Sequence, residues 1–94
     1  MSDRPAYAGD KGKLANRLSR IEGQVRGVGR MVEEERYCID VLAQVSAIQS
    51  ALDRVAVELV SDHARKCVIG AEGDLRDERT EELLEAIDRL VSRR

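Results

Sequence analysis

The segment from Cys38 to Cys67 constrains the fold most, because it contains neither proline nor glycine over 30 residues. Its apolar side chains recur at steps of three and four residues, at Leu42, Val45, Ile48, Leu52, Val55 and Leu59. Residues with this spacing line one face of an α-helix, so the segment predicts a single long helix. Both cysteines and the only histidine of the chain lie within it. The segment therefore carries both the main helix and the main candidates for metal chemistry.

A further helix is predicted on each side of this segment. The first helix begins after Asp10, a candidate N-cap, and runs to about Glu34. Its apolar residues follow the spacing of a coiled coil, at Leu14, Leu18, Ile21, Val25, Val28 and Val32. The third helix begins at the candidate N-cap Thr80, after an acidic linker over residues 71–79. Its apolar face consists of Leu83, Leu84, Ile87, Leu90 and Val91.

The connection between the first two helices, residues 33–37, is short, so these helices are predicted to be antiparallel neighbours. The expected fold class is all-α, with a three-helix protomer built on a hairpin of the two long helices. Residues 1–9 show no periodicity and contain the only proline, which predicts a flexible N-terminal tail. Residues 10–94 are predicted to form a single helical domain, because a chain of 94 residues is long enough for one domain at most.

The composition predicts an oligomer in the cytoplasm. With two tyrosines, no phenylalanine and no tryptophan, the core must be aliphatic, and three narrow helices would leave much of it exposed in a monomer. The sequence contains no run of about 18 apolar residues and no apolar core of a signal peptide, so no membrane association is expected. Two cysteines in a cytoplasmic chain are more typical of metal or redox chemistry than of a structural disulfide.

Three side chains of this segment are the types that bind metal ions. His63 and Cys67 are four residues apart, so they share a helix face and could share an ion. Cys38 precedes His63 by 25 residues, a separation of about 37 Å along one helix. A second chain packed antiparallel would bring its own Cys38 to this pair and form two sites per dimer. The alternative is that the cysteines are small buried residues and that the histidine only complements the helix dipole.

The donor set of this hypothetical site indicates which metal it would prefer. It combines two thiolates with one imidazole. Soft sulfur donors favour Cu(I), whereas structural Zn²⁺ normally takes four protein ligands and Ni²⁺ or Co²⁺ prefer more nitrogen or oxygen donors. Cu(I) is therefore the expected metal.

The charge distribution points to a possible nucleic-acid partner. The net charge is −2, but residues 11–30 contain six basic residues and one acid, a local balance of +5. Such a stripe suits phosphate contacts, although an ordinary solvated face is an equally open interpretation. The chain has no helix-turn-helix signature and no aromatic platform for stacking bases. An enzyme is not expected, since the chain has one histidine, no glycine-rich phosphate loop and no nucleophile paired with a base.

Nearly the whole chain resembles the CsoR/RcnR family of bacterial metal-sensing repressors, and within it the copper-sensing CsoR type. The resemblance is carried by NRLSRIEGQVRGVGRMVEEERYCIDVLAQVSAIQSALDRV, then HARKC, then TEELLEAI. It is also carried by the spacing of a cysteine, 24 residues, a histidine, three residues and a cysteine. The resemblance implies a protomer of three helices that dimerises into a four-helix bundle and assembles further as a dimer of dimers.

The resemblance also implies roles for individual residues. Cys38, His63 and Cys67 match the Cu(I) ligands, with Cys38 supplied by the opposite protomer. Tyr37 and Glu82 match the residues that orient the histidine and connect the site to the rest of the protein, and Glu81 is a possible substitute for Glu82. The DNA-contacting positions fall on Arg17 and Arg54, with Lys11 and Lys13 nearby.

Other branches of the family differ at these positions. The resemblance implies that nickel and cobalt sensors add a histidine near the N-terminus, which this chain lacks. Formaldehyde sensors lack a cysteine at the position of Cys67, and persulfide sensors lack the histidine at the position of His63. The presence of His63 therefore favours the copper branch.

The expected function is that of a Cu(I)-responsive transcriptional repressor, a homotetramer whose metal-free form binds operator DNA. Binding of Cu(I) would release the DNA and derepress genes for copper efflux or resistance. Three alternatives stay open. The chain could be a persulfide-sensing repressor that uses Cys38 and Cys67, a copper buffer that does not bind DNA, or a plain helical assembly module.

Overall fold

The computed structural model describes residues 4–92 and consists almost entirely of helix. A short 3-10 helix, Ala6–Asp10, leads into α1, Lys11–Glu33, and α2 follows over Cys38–His63. A π-helical segment over Ala64–Ile69 continues α2, and α3 runs over Gly73–Ser92. No β-strand occurs within the described residues. The all-α fold predicted from the periodicity, with three main helices, is confirmed.

The chain divides into two compact units, and the first comprises residues 10–56. Its core is small and aliphatic, as the composition predicted. Leu14 and Ile21 of α1 and Val55 of α2 are buried, and Ile48 and Ala51 pack against them. The short connection reverses the chain between these two helices, which gives the predicted hairpin.

The apolar positions predicted along α1 fall into two rows with a spacing of seven residues. One row is buried or half-buried and consists of Leu14, Ile21 and Val28. The other row, called the outer row below, is exposed and consists of Leu18, Val25 and Val32. A helix with two apolar rows can pack on two neighbours at once, and the first unit supplies a neighbour for only one of them.

Glu35 ends α1 through a Schellman motif. The Glu35 N–H donates to the Val32 carbonyl at 3.1 Å, and the Arg36 N–H donates to the Met31 carbonyl at 2.9 Å. Glu35 has φ of 54°, in the left-handed region that this motif requires and that glycine usually occupies. Immediately afterwards, the Tyr37 carbonyl accepts the N–H of Asp40 at 3.0 Å, so α2 begins at Cys38. The turn thus sets where Cys38 stands at the start of α2.

The second unit contains residues 57–92 and, from the N-terminal end, residues 4–9. In it, α3 packs against the π-helical segment. The Lys66 ammonium of that segment donates a hydrogen bond of 2.8 Å to the Ala6 carbonyl. This bond joins positions 60 residues apart, and it places the Ala6 carbonyl beside the segment that follows the long helix.

Two boundaries differ from the predictions. The long helix is α-helical only to His63, because residues 64–69 widen into π-helix. Gly70 follows this segment closely, and a Cβ there would lie 3.0 Å from the Lys66 carbonyl oxygen. The third helix begins at Gly73, with φ of 59°, rather than at Thr80. Thr80 lies inside α3, where its hydroxyl donates to the Arg76 carbonyl at 2.7 Å instead of capping the helix.

Asp10 stands at the predicted N-cap position of α1, but its side chain makes no capping hydrogen bond. The division into a flexible tail, residues 1–9, and one domain, residues 10–94, stays a prediction. Within those ranges, residues 1–3 and 93–94 lie outside the described residues. None of the helices between residues 4 and 92 is long and apolar enough to cross a membrane.

Candidate metal centre and basic cleft

His63 and Cys67 line one cavity in the second unit. This ligand cavity has a volume of about 450 Å³. Its walls are mainly apolar and come from the end of α2, from α3 and from the N-terminal stretch, including Leu59, Val60, Leu83, Ala86, Pro5 and Tyr7. Cys67 is half-buried and its thiol is free. The structure thus brings together the two candidate ligands that the sequence places four residues apart.

The junction between α-helix and π-helix falls between these two residues. His63 is the last residue of α2, and Cys67 lies in the π-helical segment that follows. In a π-helix the backbone bonds close over five residues instead of four, and such segments are frequent at functional sites. The relative orientation of the two side chains therefore differs from that in an uninterrupted α-helix.

Glu82 is the acid that lies beside His63. Its Oε1 is 3.8 Å from the His63 Nε2, a distance at which a protonated imidazole would form an ion pair. The same oxygen lies 3.5 Å from the Arg79 Nη1 on the preceding turn of α3. Glu81, the substitute considered from the sequence, and Glu82 are both exposed, so exposure does not distinguish the two acids. The distance from the Glu82 Oε1 to the His63 Nε2 is the observation that points to Glu82 as the partner of the histidine.

Cys38 and Tyr37 stand at the start of α2. Cys38 is exposed with a free thiol, and the Tyr37 side chain is 69% exposed. Cys38 and His63 are the first and last residues of the same helix. Between residues 4 and 92 of one chain, no three histidine, cysteine or acidic side chains form a group that could hold a metal ion.

A surface cleft in the first unit collects most of the basic residues predicted to contact DNA. This basic cleft is lined by Lys13, Asn16, Arg17, Arg20 and Arg54. Lys11, the first residue of α1, is exposed but is not among the lining residues. The cleft thus brings Arg54 of α2 to a stripe of basic residues on α1, a juxtaposition that sequence spacing alone does not reveal.

Sequence reasoning did not single out Arg79 or Asn16. Arg79 and Glu82 are three residues apart, a spacing that brings side chains together on a helix. That signal was missed because residues 71–79 were predicted as linker. Asn16 carries no charge, so the pattern of basic residues along α1 does not reveal it.

Comparisons with known proteins agree with these features. Residues 10–89 match the family model of metal-sensitive transcriptional repressors. The copper-sensing transcriptional repressor RicR of Mycobacterium tuberculosis is 48% identical over 88 residues, covering 90% of this chain and 92% of that protein. The copper-sensing transcriptional repressor CsoR of Bacillus subtilis is 55% identical over 62 residues. That match covers 66% of this chain and 61% of the Bacillus protein, less than two thirds of its length.

Two solved structures share the fold. The copper-sensing repressor CsoR with Cu(I) from Geobacillus thermodenitrificans superposes with a TM-score of 0.82 at 43% identity, covering 97% of this chain and 94% of that one. The nickel-responsive transcriptional regulator InrS gives a TM-score of 0.73 at 51% identity, covering 83% of this chain and 89% of that one. Overall identity therefore does not by itself decide between copper and nickel.

The family model covers most of the chain, and its range includes α1, α2 and nearly all of α3. The resemblance noted from the sequence is confirmed, and the family is one of transcriptional repressors, not of enzymes. This chain belongs to the metal-sensitive transcriptional repressor family.

Proposed function

We propose that this protein is a Cu(I)-responsive transcriptional repressor whose metal-free form binds operator DNA and whose Cu(I)-bound form releases it. The observation that carries the proposal is the meeting of His63 and Cys67 in one cavity of the second unit. The names of the copper-sensing relatives support the same metal. Such a repressor would act in the cytoplasm, where it would control genes for copper efflux or resistance.

The donor chemistry of the candidate ligands fits Cu(I). Cys67 and His63 supply one sulfur and one nitrogen, and Cys38 of a second chain would supply the second sulfur. Two thiolates with one imidazole favour Cu(I) over metals that prefer nitrogen and oxygen donors, which argues against nickel. Because the His63 Nε2 faces Glu82, the Nδ1 is the nitrogen left for a metal. Cu(I), when bound, would supply a positive charge and would be coordinated by the two thiolates and the imidazole.

The third ligand requires a dimer in which the long helices are antiparallel. Two-fold symmetry would then create two equivalent sites, each with Cys38 and Tyr37 from one chain and His63, Cys67 and Glu82 from the other. The exposure of Cys38 and Tyr37 leaves them accessible to a partner. The apolar outer row of α1, Leu18, Val25 and Val32, supports burial against further copies of the chain. We infer a dimer of dimers, as is typical of the family.

The basic cleft is the surface that would bind duplex DNA. Arg17, Arg54 and Lys13 line it together, and Arg20 adds a fourth cation. Lys11 would extend the positive surface at the start of α1. Basic residues placed this way contact backbone phosphates, so operator binding should weaken steeply as salt rises. Asn16 is the lining residue whose amide could also bond a base edge.

The response to copper is a matter of linkage. Cu(I) lowers DNA affinity only if it binds the DNA-free form more tightly than the DNA-bound form. The factor by which Cu(I) weakens DNA binding equals the factor by which DNA weakens Cu(I) binding. A coupling of about 3 kcal/mol, at the upper end of the usual range for allosteric pairs, would change DNA affinity by roughly 150-fold.

An anaerobic titration of the reduced protein with Cu(I) against a chromophoric chelator tests the metal site. The wild type should withhold about one Cu(I) per chain, and Cys38→Ala should not, because two donors hold Cu(I) less tightly than three. If neither protein competes with the chelator, the copper proposal is wrong. Release of DNA by persulfide without any response to copper would then identify a thiol sensor.

Binding of operator DNA and its release by Cu(I) are tested by a separate measurement. The probe is a fluorescently labelled DNA duplex taken from the region upstream of the gene for this protein. Fluorescence anisotropy should detect tight binding of the metal-free protein to this duplex, and one equivalent of Cu(I) should abolish the binding. A protein that withholds Cu(I) but binds no such duplex at low salt would be a copper buffer instead.

A further inference from the structure

One oxygen atom of Glu82 faces two nitrogen groups at once. Its Oε1 lies 3.5 Å from the Arg79 Nη1 and 3.8 Å from the His63 Nε2. A carboxylate oxygen has two lone pairs, so it can serve both groups together. The Arg79 side chain is only 33% exposed, whereas Glu82 is 60% exposed. The arginine is thus the less exposed member of this pair.

We propose that Arg79 is a positioning residue for the copper response, which holds the Glu82 carboxylate beside His63. This inference rests on the proposed function, because it concerns how the His63 site works once copper is bound. Arg79 itself would touch neither the metal nor the DNA. A substitution of Arg79 would change copper binding only by changing the position of the Glu82 carboxylate.

The Glu82 side chain is mostly exposed and has several freely rotating bonds, so nothing in water would keep it facing His63. Arg79 and Glu82 are one turn apart on α3, which suits a contact between their side chains. A contact at Oε1 restricts the carboxylate to the side on which His63 lies. An acid held there can accept the N–H of the imidazole and fix the orientation of the ring.

The Arg79 and Glu82 pair is partly exposed, so water screens the attraction between the two side chains and the effect on Cu(I) affinity should be modest.

The test compares Cu(I) affinities of Arg79→Gln, Arg79→Lys and the control Arg89→Gln in the full-length protein. Removal of residues that orient a metal ligand typically costs 10–100-fold in affinity, and Arg79 acts one step further away, so we expect a loss of about 3–10-fold for Arg79→Gln. Arg79→Lys keeps the charge and should recover most of the affinity. Arg89→Gln removes the same charge from an exposed position further along α3 and should leave the affinity unchanged.

A double-mutant cycle separates this role from a general effect on folding. In a Glu82→Gln background, Arg79→Gln should have no further effect on Cu(I) affinity, because its route to the metal has been removed. Binding of metal-free protein to DNA should be the same for all four proteins of the cycle.

Each other outcome has a definite meaning. If Arg79→Gln weakens copper binding equally with and without Glu82, or if it has no effect while the wild type withholds copper, the inference is wrong and the proposed function stands. If the wild type withholds no copper, the proposed function fails and this inference fails with it.

Discussion

At the scale of single residues, His63 is where the candidate metal centre and the helical scaffold meet. It ends α2, precedes the π-helical segment, lines the ligand cavity and faces Glu82. The substitution His63→Ala should leave DNA binding by the metal-free protein intact, because His63 is not among the residues that line the basic cleft. It should abolish release by copper, since the variant loses both a ligand and the contact with Glu82. Anisotropy titrations of DNA with and without Cu(I) would check this, and a variant that copper still releases would contradict the proposed coupling through His63.

Arg54 is the residue on which the proposal for the basic cleft depends most, since it is the lining residue contributed by α2. The substitution Arg54→Ala should weaken DNA binding to all sequences alike and should lower the salt slope of log K by about 1, as expected for one lost phosphate contact. Its Cu(I) affinity should not change. Arg76→Ala, which removes an arginine from the exposed face of α3, is the matched control. An unchanged salt slope in Arg54→Ala would remove Arg54 from the DNA interface.

At the scale of helices, the turn after α1 contains a residue under conformational strain. Glu35 occupies the left-handed region that the Schellman motif requires, where a side chain with a Cβ is disfavoured. The substitution Glu35→Gly should therefore stabilise the protein by about 0.5–1 kcal/mol, after allowance for the greater freedom of glycine in the unfolded chain. Urea unfolding at a fixed protomer concentration would measure it.

The neighbouring residue supplies the control for that experiment. Glu34 has φ of −81°, which any residue adopts, so glycine relieves no strain there. Glu34→Gly should destabilise the protein by up to about 1 kcal/mol, because glycine only adds freedom to the unfolded chain. Equal effects at both positions would mean that the strain at Glu35 is not the cause.

Apolar periodicity explains why the helices themselves were predictable. The spacing of three and four residues along α1 and α2 follows from burial of one helix face, so both helices could be found from the sequence with boundaries close to those observed. Residues 74–79 of α3 are mostly charged and therefore carry no periodic signal, although such long side chains form helix readily. The start of α3 was missed for that reason, and with it the contact between Arg79 and Glu82.

The candidate site was predictable to a different extent. The pairing of His63 with Cys67 follows from helical spacing within one segment. The π-helical turn between them depends on the contacts of the folded chain and has no signature in composition. The grouping of Arg54 with Lys13 and Arg17 depends on how α1 packs against α2 in the first unit, which a single sequence does not report. Local sequence patterns do not predict tertiary contacts of this kind.

At the scale of the whole molecule, the shortage of buried apolar surface is the dominant fact. Among the described residues the buried hydrophobic core consists of Leu14, Ile21 and Val55. Many large apolar side chains are exposed in the single chain, including the outer row of α1. Exposed apolar surface arranged in regular rows marks an interface, because a soluble monomer rarely tolerates it. The stability of this protein should therefore depend on protomer concentration.

The outer row gives the most direct test of assembly. The substitution Leu18→Glu puts a charge at a position that is 46% exposed in the single chain and that we expect another copy to cover. Burying an unpaired carboxylate costs several kcal/mol, so the variant should form smaller species than the wild type. Sedimentation equilibrium over a range of concentrations would detect the change. Ser19→Glu places the same charge on the adjacent exposed residue and should leave the assembly unaltered. If Leu18→Glu assembled like the wild type, the outer row would not lie in an interface, and the second ligand sulfur would have to be brought to His63 and Cys67 by contacts elsewhere on the chain.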